Sequence, residues 1–250
     1  MRLVVAGATG GVGRHVVAAA RTAGHDVVPL SRGTGQDVTT GAGLAAAMAG
    51  ADAVVDVTSG PATATRTAVG FFRRATVHLL EAEAAAGVGH HVALSIVGID
   101  PMTRGHYAGK IAQERLVTAG GVPWSLLRAT QFHEFTAQLV DRTGVGPFVV
   151  VPAMRTATVA AAEVAADLVA AAEAGPRGRL PDLGGPEEAE LADLVRRYLD
   201  TAGPRRRVVR LSLPGRDWRL ARRGALLPGD GATRGRQSFD EWLGEAAPRE

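Results

Sequence analysis

Short, almost continuously apolar runs alternate with longer alanine-rich stretches through the first 175 residues or so of the chain. Strands that are apolar on both sides belong in a sheet that helices cover on both faces. The stretches between the runs have helical periodicity and end in glycine, which favours a helix C-terminus. The alternation therefore predicts a doubly wound parallel α/β sheet. The predicted strands are "RLVVAG", "DVVPLS", "AVVDVT", "HHVALSI" and "WSLLRA".

The first predicted strand runs directly into the glycine-rich turn "GATGGVG". Gly7 permits a tight strand-to-helix turn, Gly10 lets a pyrophosphate approach the backbone, and Gly13 lets the helix pack closely on the strand. A helix that begins here presents free N–H groups and the positive end of its dipole to the phosphates. Because a second strand follows, the turn predicts a dinucleotide site on a Rossmann-type fold. Its predicted cofactor-binding residues are Gly7, Thr9, Gly10, Gly11, Val12 and Gly13.

The end of the second strand bears on which dinucleotide binds. An NAD site usually places Asp or Glu there for the adenosine ribose diol, whereas a 2′-phosphate requires a hydroxyl and a cation. This chain has Ser31 and Arg32 at that position. The pair favours NADP(H) over NAD(H), unless an acidic residue arrives from elsewhere in the fold. The alternative is that Arg32 is one of many solvated arginines.

The periodic pattern loosens after about Asp141. Helices are predicted at 159–174 and 187–202, a strand at "RVVRLSL", and a loop at 228–237 before a last short helix. In doubly wound folds the ligand crevice lies at the carboxyl edge of the sheet, and these elements are predicted to pack over it.

This pattern predicts how the chain is organised into one domain, 1–250. Residues 1–158 are predicted to form the NAD(P)-binding core. Residues 159–250 would supply helices, a strand and loops that cover the substrate cleft.

The composition excludes several kinds of site. The chain has no cysteine, which excludes disulfides, thiolate metal sites and a cysteine nucleophile. Its seven histidines lack the i, i+4 spacing of a helical zinc site, so we expect no metal. The net charge of +3 is too small to indicate a nucleic-acid partner, and the arginine-rich segment at 204–223 contains only Trp218 as an aromatic platform.

The chain also lacks the sequence marks of a membrane or secreted protein. No uncharged run approaches the length of a membrane span. The first apolar run begins at Leu3 without a basic n-region before it. We therefore expect a cytoplasmic protein with a small-molecule substrate, as a monomer or a homodimer.

Lysine occurs once, at Lys110, among 28 lysine and arginine residues. A position that keeps an amine while arginine is used everywhere else indicates a need that a guanidinium does not meet. One explanation is that an amine whose pKa is lowered can lose a proton. The other is that the compact charge of an ammonium fits ribose hydroxyls better than the planar guanidinium of arginine does. Both explanations place Lys110 in a functional site.

Four segments resemble a known family: "GATGGVG", "LSIVGID" at 94–100, "KIAQERL" at 110–116 and "LLRATQFHEF" at 126–135. With them the chain resembles the atypical short-chain dehydrogenases, especially the NmrA-like NAD(P)H-binding branch. The resemblance covers about residues 1–175. Its members include NADPH-dependent reductases of quinones and other small carbonyl or alkene substrates, and redox-sensing regulators that bind cofactor without turnover.

The resemblance implies two more cofactor contacts. "QDV" is similar to the short third strand whose aspartate faces the adenine amino group in related proteins, which assigns Asp37 and Val38 to the cofactor. "VTSG" ends the next strand, where the backbone and small side chains of Thr58 and Ser59 would line the adenosine and pyrophosphate. Both segments could equally be plain turns.

The resemblance also implies a proton donor near Lys110. In better-known short-chain dehydrogenases a tyrosine lies four residues before the lysine, which binds the nicotinamide ribose and lowers the tyrosine pKa. Here His106 stands four residues before Lys110 and Tyr107 three, and both would face the lysine on a helix. Imidazole titrates near neutral pH, whereas a phenol needs a cation. A third possibility, from isoflavone-reductase-like relatives, is that the amine of Lys110 itself transfers the proton.

Residues at two strand ends complete the candidate site. Ser95 would polarise a substrate oxygen or be satisfied by backbone. Four residues after "WSLLRA" are expected to border the nicotinamide: Thr130, Gln131, Phe132 and His133. Gln131 and Phe132 are assigned to the cofactor, and His133 would be a pocket wall or a second proton donor. His90 and His91, at the start of their strand, are assigned no chemistry.

The sequence therefore predicts an NADPH-dependent oxidoreductase that reduces a small carbonyl, quinone or enone, with Ser95, His106, Tyr107 and Lys110 as catalytic candidates. The alternative is a non-catalytic NAD(P)H-binding redox sensor of the NmrA type. A nucleotide-sugar epimerase is disfavoured because the C-terminal portion is short and the Tyr-x-x-x-Lys pair is missing.

Overall fold

The computed structural model describes residues 1–60 and 64–246. The chain forms two compact units. Unit 1 comprises residues 1–95, 102–128 and 162–181, apart from 61–63, and unit 2 comprises residues 96–101, 129–161 and 182–246. The predicted division at residue 158 stays a prediction.

The helices and strands alternate through the first half of the chain as predicted. In chain order the elements are β1 (Arg2–Ala6), α1 (Gly13–Thr22), β2 (Asp26–Leu30), α2 (Leu44–Met48), β3 (Ala53–Asp56), α3 (Thr65–Ala86), β4 (His90–Ile96), α4 (Gly105–Ala119), β5 (Trp124–Ala129), α5 (Phe135–Thr143), β6 (Gly144–Val145), β7 (Phe148–Pro152), β8 (Arg155–Thr156), α6 (Ala161–Glu173), β9 (Gly178–Arg179), β10 (Leu183–Gly184), β11 (Ala189–Glu190), α7 (Leu191–Thr201), β12 (Arg207–Leu211), α8 (Arg216–Arg222), β13 (Thr233–Arg234) and α9 (Phe239–Ala246). A 3-10 turn at Arg32–Thr34 follows β2.

The sheet of unit 1 has the strand order β5-β4-β3-β1-β2, and β9 pairs with β5. β1 is parallel to both β2 and β3, β3 is parallel to β4, and β5 is parallel to β9. The order changes direction at β1, which is where a doubly wound sheet opens its ligand crevice. The predicted Rossmann-type α/β fold is confirmed.

Burial explains why the strands of unit 1 are apolar throughout. Every residue of β3 is buried, and so are Leu3, Val4, Val5 and Ala6 of β1. One core cluster joins strand residues such as Val4 and Val54 to helix residues such as Met48. Helices therefore shield the sheet, and a charged side chain within a strand has to find a partner in the interior.

Unit 2 contains short strand pairings, most of which the sequence did not predict. The strand β12 was predicted; it pairs with β7, and β7 pairs with β6. β8 pairs with β11, and β10 pairs with β13 inside the segment that was predicted as a loop. The helix α5 and the strand β7 were missed. Among the described residues, no helix combines the length and the hydropathy that crossing a membrane requires.

Candidate functional site

The glycine turn between β1 and α1 is too tight for a side chain at two of its positions. Gly7 has a φ of +84°, and a Cβ there would lie 2.9 Å from the carbonyl oxygen of Val57. A Cβ on Gly13 would lie 2.0 Å from the carbonyl oxygen of Gly7. Only glycine fits both positions, because the obstacles are backbone atoms that cannot rotate away. The predicted roles of these two glycines in the turn agree with this geometry.

The same turn leaves a group of backbone N–H donors without acceptors. Gly10 donates to the carbonyl oxygen of Gly7 at 2.9 Å, and the amides of Gly7 and Ala8 both approach the carbonyl oxygen of Leu30. In residues 1–60 and 64–246, four further amides of the turn find no protein acceptor: Thr9, Gly11, Val12 and Gly13. No side chain caps the start of α1. This cradle fits the pyrophosphate of a dinucleotide, because several N–H groups and a helix N-terminus converge on one anion position.

The carboxyl end of β3 lies beside the glycine turn. A Cβ on Gly7 would lie 3.1 Å from the Cα of Thr58. Thr58 is buried, and within the described residues its Oγ1 has no hydrogen-bond partner, whereas Ser59 is exposed. The structure thus brings Thr58 to the predicted dinucleotide site.

Arg32 follows β2 and is exposed. The Ser31 and Thr34 hydroxyl oxygens lie 3.2 Å apart across the 3-10 turn. Across the part of the chain that the structure describes, the Arg32 side chain makes no hydrogen bond or ion pair, and its carbonyl accepts from the Gly35 amide at 3.2 Å. The β2 strand ends in Leu30 without a carboxylate, and the charge of Arg32 acts on the Asp37 carboxylate, where it helps to lower the pKa of Asp37.

The predicted short third strand at "QDV" is wrong. Asp37 and Ala42 form only an isolated antiparallel bridge. The Asp37 Oδ1 atom accepts hydrogen bonds from the amide and the hydroxyl of Thr39, both at 2.7 Å, and these bonds lower the pKa of Asp37. The Val38 carbonyl accepts a hydrogen bond from His78 Nδ1 at 2.9 Å. Local side-chain bonding of this kind competes with a strand ladder, so the segment turns instead.

Lys110 lies in the interior, on the face of α4 that packs against α3. It is 4% exposed, and its Nζ lies 5.0 Å from the centroid of the Phe72 ring. Burial lowers the pKa of Lys110 to about 8, against the opposite effect of the Asp56 and Glu114 carboxylates. Among the described residues no hydrogen bond reaches Nζ. The amine can therefore change its protonation state near physiological pH.

His106 and Tyr107 belong to the first turn of α4, and both are half-buried. The His106 ring meets Phe72 edge to face, with ring centroids 5.3 Å apart. Phe72 therefore contacts both His106 and Lys110. Which of the three candidates handles a proton stays a prediction.

Ser95 is 2% exposed near the end of β4. Its hydroxyl has no hydrogen-bond partner within residues 1–60 and 64–246, so the alternative in which the backbone satisfies it does not occur there. A buried hydroxyl without a partner is costly, which fits a group that meets a ligand.

Two anchors that the sequence analysis missed hold α4 to the sheet. Gln113 Nε2 donates to Asp56 Oδ2 at 2.7 Å, and Asp56 Oδ1 accepts from the Thr58 amide at 2.9 Å. Glu114 forms a bidentate pair with Arg128, at 2.8 and 2.6 Å. One signal was present: Asp56 is the only charged residue in the apolar run "AVVDVT", and a carboxylate in a covered strand needs a partner.

His90 and His91, which were assigned no chemistry, serve the interior of unit 1. His90 Nε2 lies 2.8 Å from Ser125 Oγ, and burial lowers the pKa of His90. His91 Nδ1 lies 2.9 Å from Glu83 Oε1, with both side chains fully buried. Burial opposes the charged imidazole, but the charge and hydrogen bond of Glu83 hold the pKa of His91 above its usual value.

The residues after β5 belong to unit 2. Thr130 donates to the Ala157 carbonyl, Gln131 Oε1 accepts from Thr156 Oγ1 at 2.8 Å, and Phe132 bridges to Val159. The cofactor assignment of Gln131 and Phe132 stays a prediction.

His133 is fully buried in unit 2, and both of its ring nitrogens are hydrogen-bonded there. Nδ1 lies 2.8 Å from Thr158 Oγ1 and Nε2 lies 3.1 Å from the Gln237 carbonyl oxygen. The ring also packs against Phe239 and Trp242. These contacts favour a structural role over the second proton donor.

Comparisons with known proteins agree with this geometry. The model of the NAD(P)H-binding family matches residues 7–174, which include the glycine turn and α4. No protein with a curated description matches the sequence.

Several solved structures share the fold over nearly their whole length. A short-chain dehydrogenase/reductase superfamily protein from Agrobacterium tumefaciens with bound NAD is 21% identical, with a TM-score of 0.68, and the match covers 98% of this chain and 96% of that one. An NADPH-dependent quinone oxidoreductase from Escherichia coli, complexed with NADPH, is 17% identical with a TM-score of 0.72, covering 98% and 99%. A UDP-glucose 4-epimerase from Thermotoga maritima with UDP-glucose is 15% identical with a TM-score of 0.74, covering 97% and 96%.

At these identities the likenesses show the fold alone. The match to the family model is independent of them and includes the glycine turn, whose backbone forms the anion cradle described above. The chain therefore belongs to the NAD(P)H-binding family, and it shares its fold with a short-chain dehydrogenase/reductase superfamily protein and an NADPH-dependent quinone oxidoreductase.

Proposed function

We propose that this protein is an NADPH-dependent oxidoreductase that reduces a small carbonyl, quinone or enone substrate. The observation that carries the proposal is Lys110, a buried amine with a lowered pKa, one helical turn after His106. If this position served only packing, we would expect an apolar residue there, because the desolvation of a buried ammonium costs on the order of several kcal/mol.

The glycine turn supports the cofactor half of this proposal. Its four unpartnered amides would hold the pyrophosphate, and the Arg32 guanidinium, which forms no ion pair among the described residues, would bind a 2′-phosphate. When bound, a reduced nicotinamide supplies hydride to an electrophilic carbon. The dehydrogenase with NAD and the quinone oxidoreductase with NADPH share the fold, so Arg32 is what supports NADPH here.

Residues of α4 would do the acid chemistry. Lys110 would bind the nicotinamide ribose, and His106 would donate a proton to the substrate oxygen as negative charge develops on it. His106 is supported first because its ring and the Lys110 amine contact the same phenyl ring, that of Phe72. Tyr107, or the Lys110 amine itself, is the alternative donor, and Ser95 would polarise the same oxygen through its unpartnered hydroxyl.

The test is a substrate screen on the purified chain. NADPH would be offered with quinones, ketones and enones, and the loss of the reduced-nicotinamide absorbance would be followed. We expect substrate-dependent oxidation, reduced about a hundredfold or more in His106→Gln if that residue is the general acid. Tyr107→Phe is the matched variant, and unchanged turnover in both variants would transfer the role to Lys110.

A redox sensor is the second candidate. It is favoured by the register of α4, in which the tyrosine stands three residues before the lysine rather than four. Calorimetric binding of NADPH without oxidation by any substrate class would support the sensor. Failure to bind either dinucleotide would remove both candidates.

A further inference from the structure

Helix α4 is anchored immediately after Lys110 by two consecutive side chains. Gln113 bonds to Asp56 on β3, and Glu114 pairs with Arg128 on β5. In the strand order β5-β4-β3, these two strands flank β4 on either side. The anchors therefore fix how α4 sits over the sheet, and with it the position of Lys110.

Asp56 differs from the other carboxylates of this interior in the charge of its partners. Glu83 has the imidazole of His91, and Glu114 has the guanidinium of Arg128. Asp56 is fully buried, and its carboxylate accepts hydrogen bonds from two neutral donors, the Thr58 amide and the Gln113 side chain. Its negative charge is therefore balanced by neither bond.

Lys110 presents the complementary case. Its ammonium lies over Phe72 in the interior, and no hydrogen bond from the described residues reaches it. The ionisable groups that act on it are Asp56 from β3 and Glu114 from its own helix; His91 of β4 in turn responds to Lys110, Asp56 and Glu83 of α3. With His91 protonated, this set of described residues contains three carboxylates and three cations: Asp56, Glu83 and Glu114 against His91, Lys110 and Arg128.

We propose that Asp56 is a positioning residue for Lys110: its buried carboxylate, held by Gln113 and the Thr58 amide, supplies the counter-charge that keeps the lysine protonated and in place. The proposal rests on the proposed function only in treating Lys110 as a site residue. It adds that a carboxylate on β3 favours the protonated amine against the larger, opposite effect of burial.

The single lysine makes this directly measurable. In the full chain grown with 13C- and 15N-labelled lysine, only Lys110 gives a side-chain signal, so its chemical shift against pH reports one group. We expect a midpoint of about 8 in the parent protein. In Asp56→Asn the midpoint should fall below about 7, because removing an opposite charge at close range shifts a pKa by about 1 to 3.

The matched control is Asp52→Asn. Asp52 precedes the same strand, is exposed, and accepts a bond from the Arg2 amide. We expect it to leave the Lys110 midpoint within about 0.3 of the parent value, since an exposed charge is screened by water. The same midpoint in Asp56→Asn as in the parent would overturn the proposal.

A double variant separates a charge role from a packing role if Asp56→Asn does not fold. Removing both charges in Asp56→Asn with Lys110→Met leaves neither group unbalanced, so we expect folding to be recovered. A double variant as unfolded as Asp56→Asn would show that the carboxylate serves the fold and not the lysine. The titration needs no cofactor and no substrate. If the protein showed no turnover, the proposed function would fail, but the titration would still test the role of Asp56.

Discussion

The glycine turn and the buried face of α4 are two candidate sites in unit 1 that are built in opposite ways. The turn offers backbone amides to a ligand and tolerates no Cβ at Gly13, where one would lie 2.0 Å from a carbonyl oxygen. The α4 face works through side-chain charges removed from water, around Lys110 and Asp56. Dinucleotide binding at the turn should therefore be insensitive to pH, whereas the charge of the α4 face should depend on pH.

Because of this difference, mutations at the two sites should have different effects, on dinucleotide binding in one case and on stability in the other. A backbone site has little of its own to titrate, so its defects should appear as lost affinity for the dinucleotide. A buried charge cluster is costly wherever its balance is disturbed, so its defects should appear in the free energy of unfolding.

Gly13→Ala should abolish most dinucleotide binding. The added Cβ collides with the carbonyl of Gly7, so the start of α1 must move away from the turn. We expect NADPH affinity to fall about a thousandfold, about 4 kcal/mol, in calorimetry. Gly121→Ala, where nothing lies within 4 Å of the new Cβ, is the control. Retention of parent affinity in Gly13→Ala would contradict a backbone cradle.

Glu83→Gln should destabilise the fold by about 3 kcal/mol in urea unfolding, because it leaves His91 buried without its carboxylate. The pKa of His91 is raised in the folded state. Its contribution is therefore fully present below the ordinary histidine pKa and is lost as pH rises through the raised value. The parent should show this loss and Glu83→Gln should not. Glu81→Gln, exposed on the same helix, should behave like the parent.

Lys110→Met should change how stability depends on alkaline pH. The folded pKa of Lys110 is about 8, below its ordinary value of 10.5, so the unfolded chain binds the proton more tightly. The cost of burying the amine is thus present below about pH 8 and is relieved as pH rises, by about 2 kcal/mol up to pH 9.5. The unfolding free energy of the parent minus that of Lys110→Met should therefore increase with pH over the same range. A flat difference would mean that Lys110 is not buried as an ammonium.

Arg32→Ala should separate the two dinucleotides. Losing one charged contact to a 2′-phosphate should weaken NADPH binding about tenfold, about 1.4 kcal/mol, and leave NADH binding unchanged. Arg219→Ala, an exposed arginine on α8, is the control. Equal losses for both dinucleotides would remove the preference for NADPH.

Much of unit 1 could be predicted from local pattern. Strands such as β1 and β3 are apolar throughout because helices cover both faces, and a run of that kind is visible in the residues themselves. The glycine turn was predictable for a similar reason, since its requirement is the absence of a Cβ. The family match over 7–174 agrees with both.

Where local pattern was ambiguous, prediction failed. For "QDV" the resemblance implied a short strand and a plain turn was left open; Asp37 and Thr39 bond to each other and form a turn. In unit 2 the strand β7 and the helix α5 were also missed, although "GVGP" precedes β7 as a turn signal and the buried residues Thr136, Leu139 and Val140 of α5 have helical spacing.

By itself the sequence determined the chemistry available: a glycine turn for phosphates, one lysine among arginines, and His106 and Tyr107 one turn before it. Only the tertiary structure decided which carboxylates meet that lysine. Asp56 and Lys110 are 54 positions apart in the chain, and no spacing rule connects a strand end to a helix face across that distance. Packing of α4 over the sheet brings them into one interior, where the absence of water gives their charges their effect.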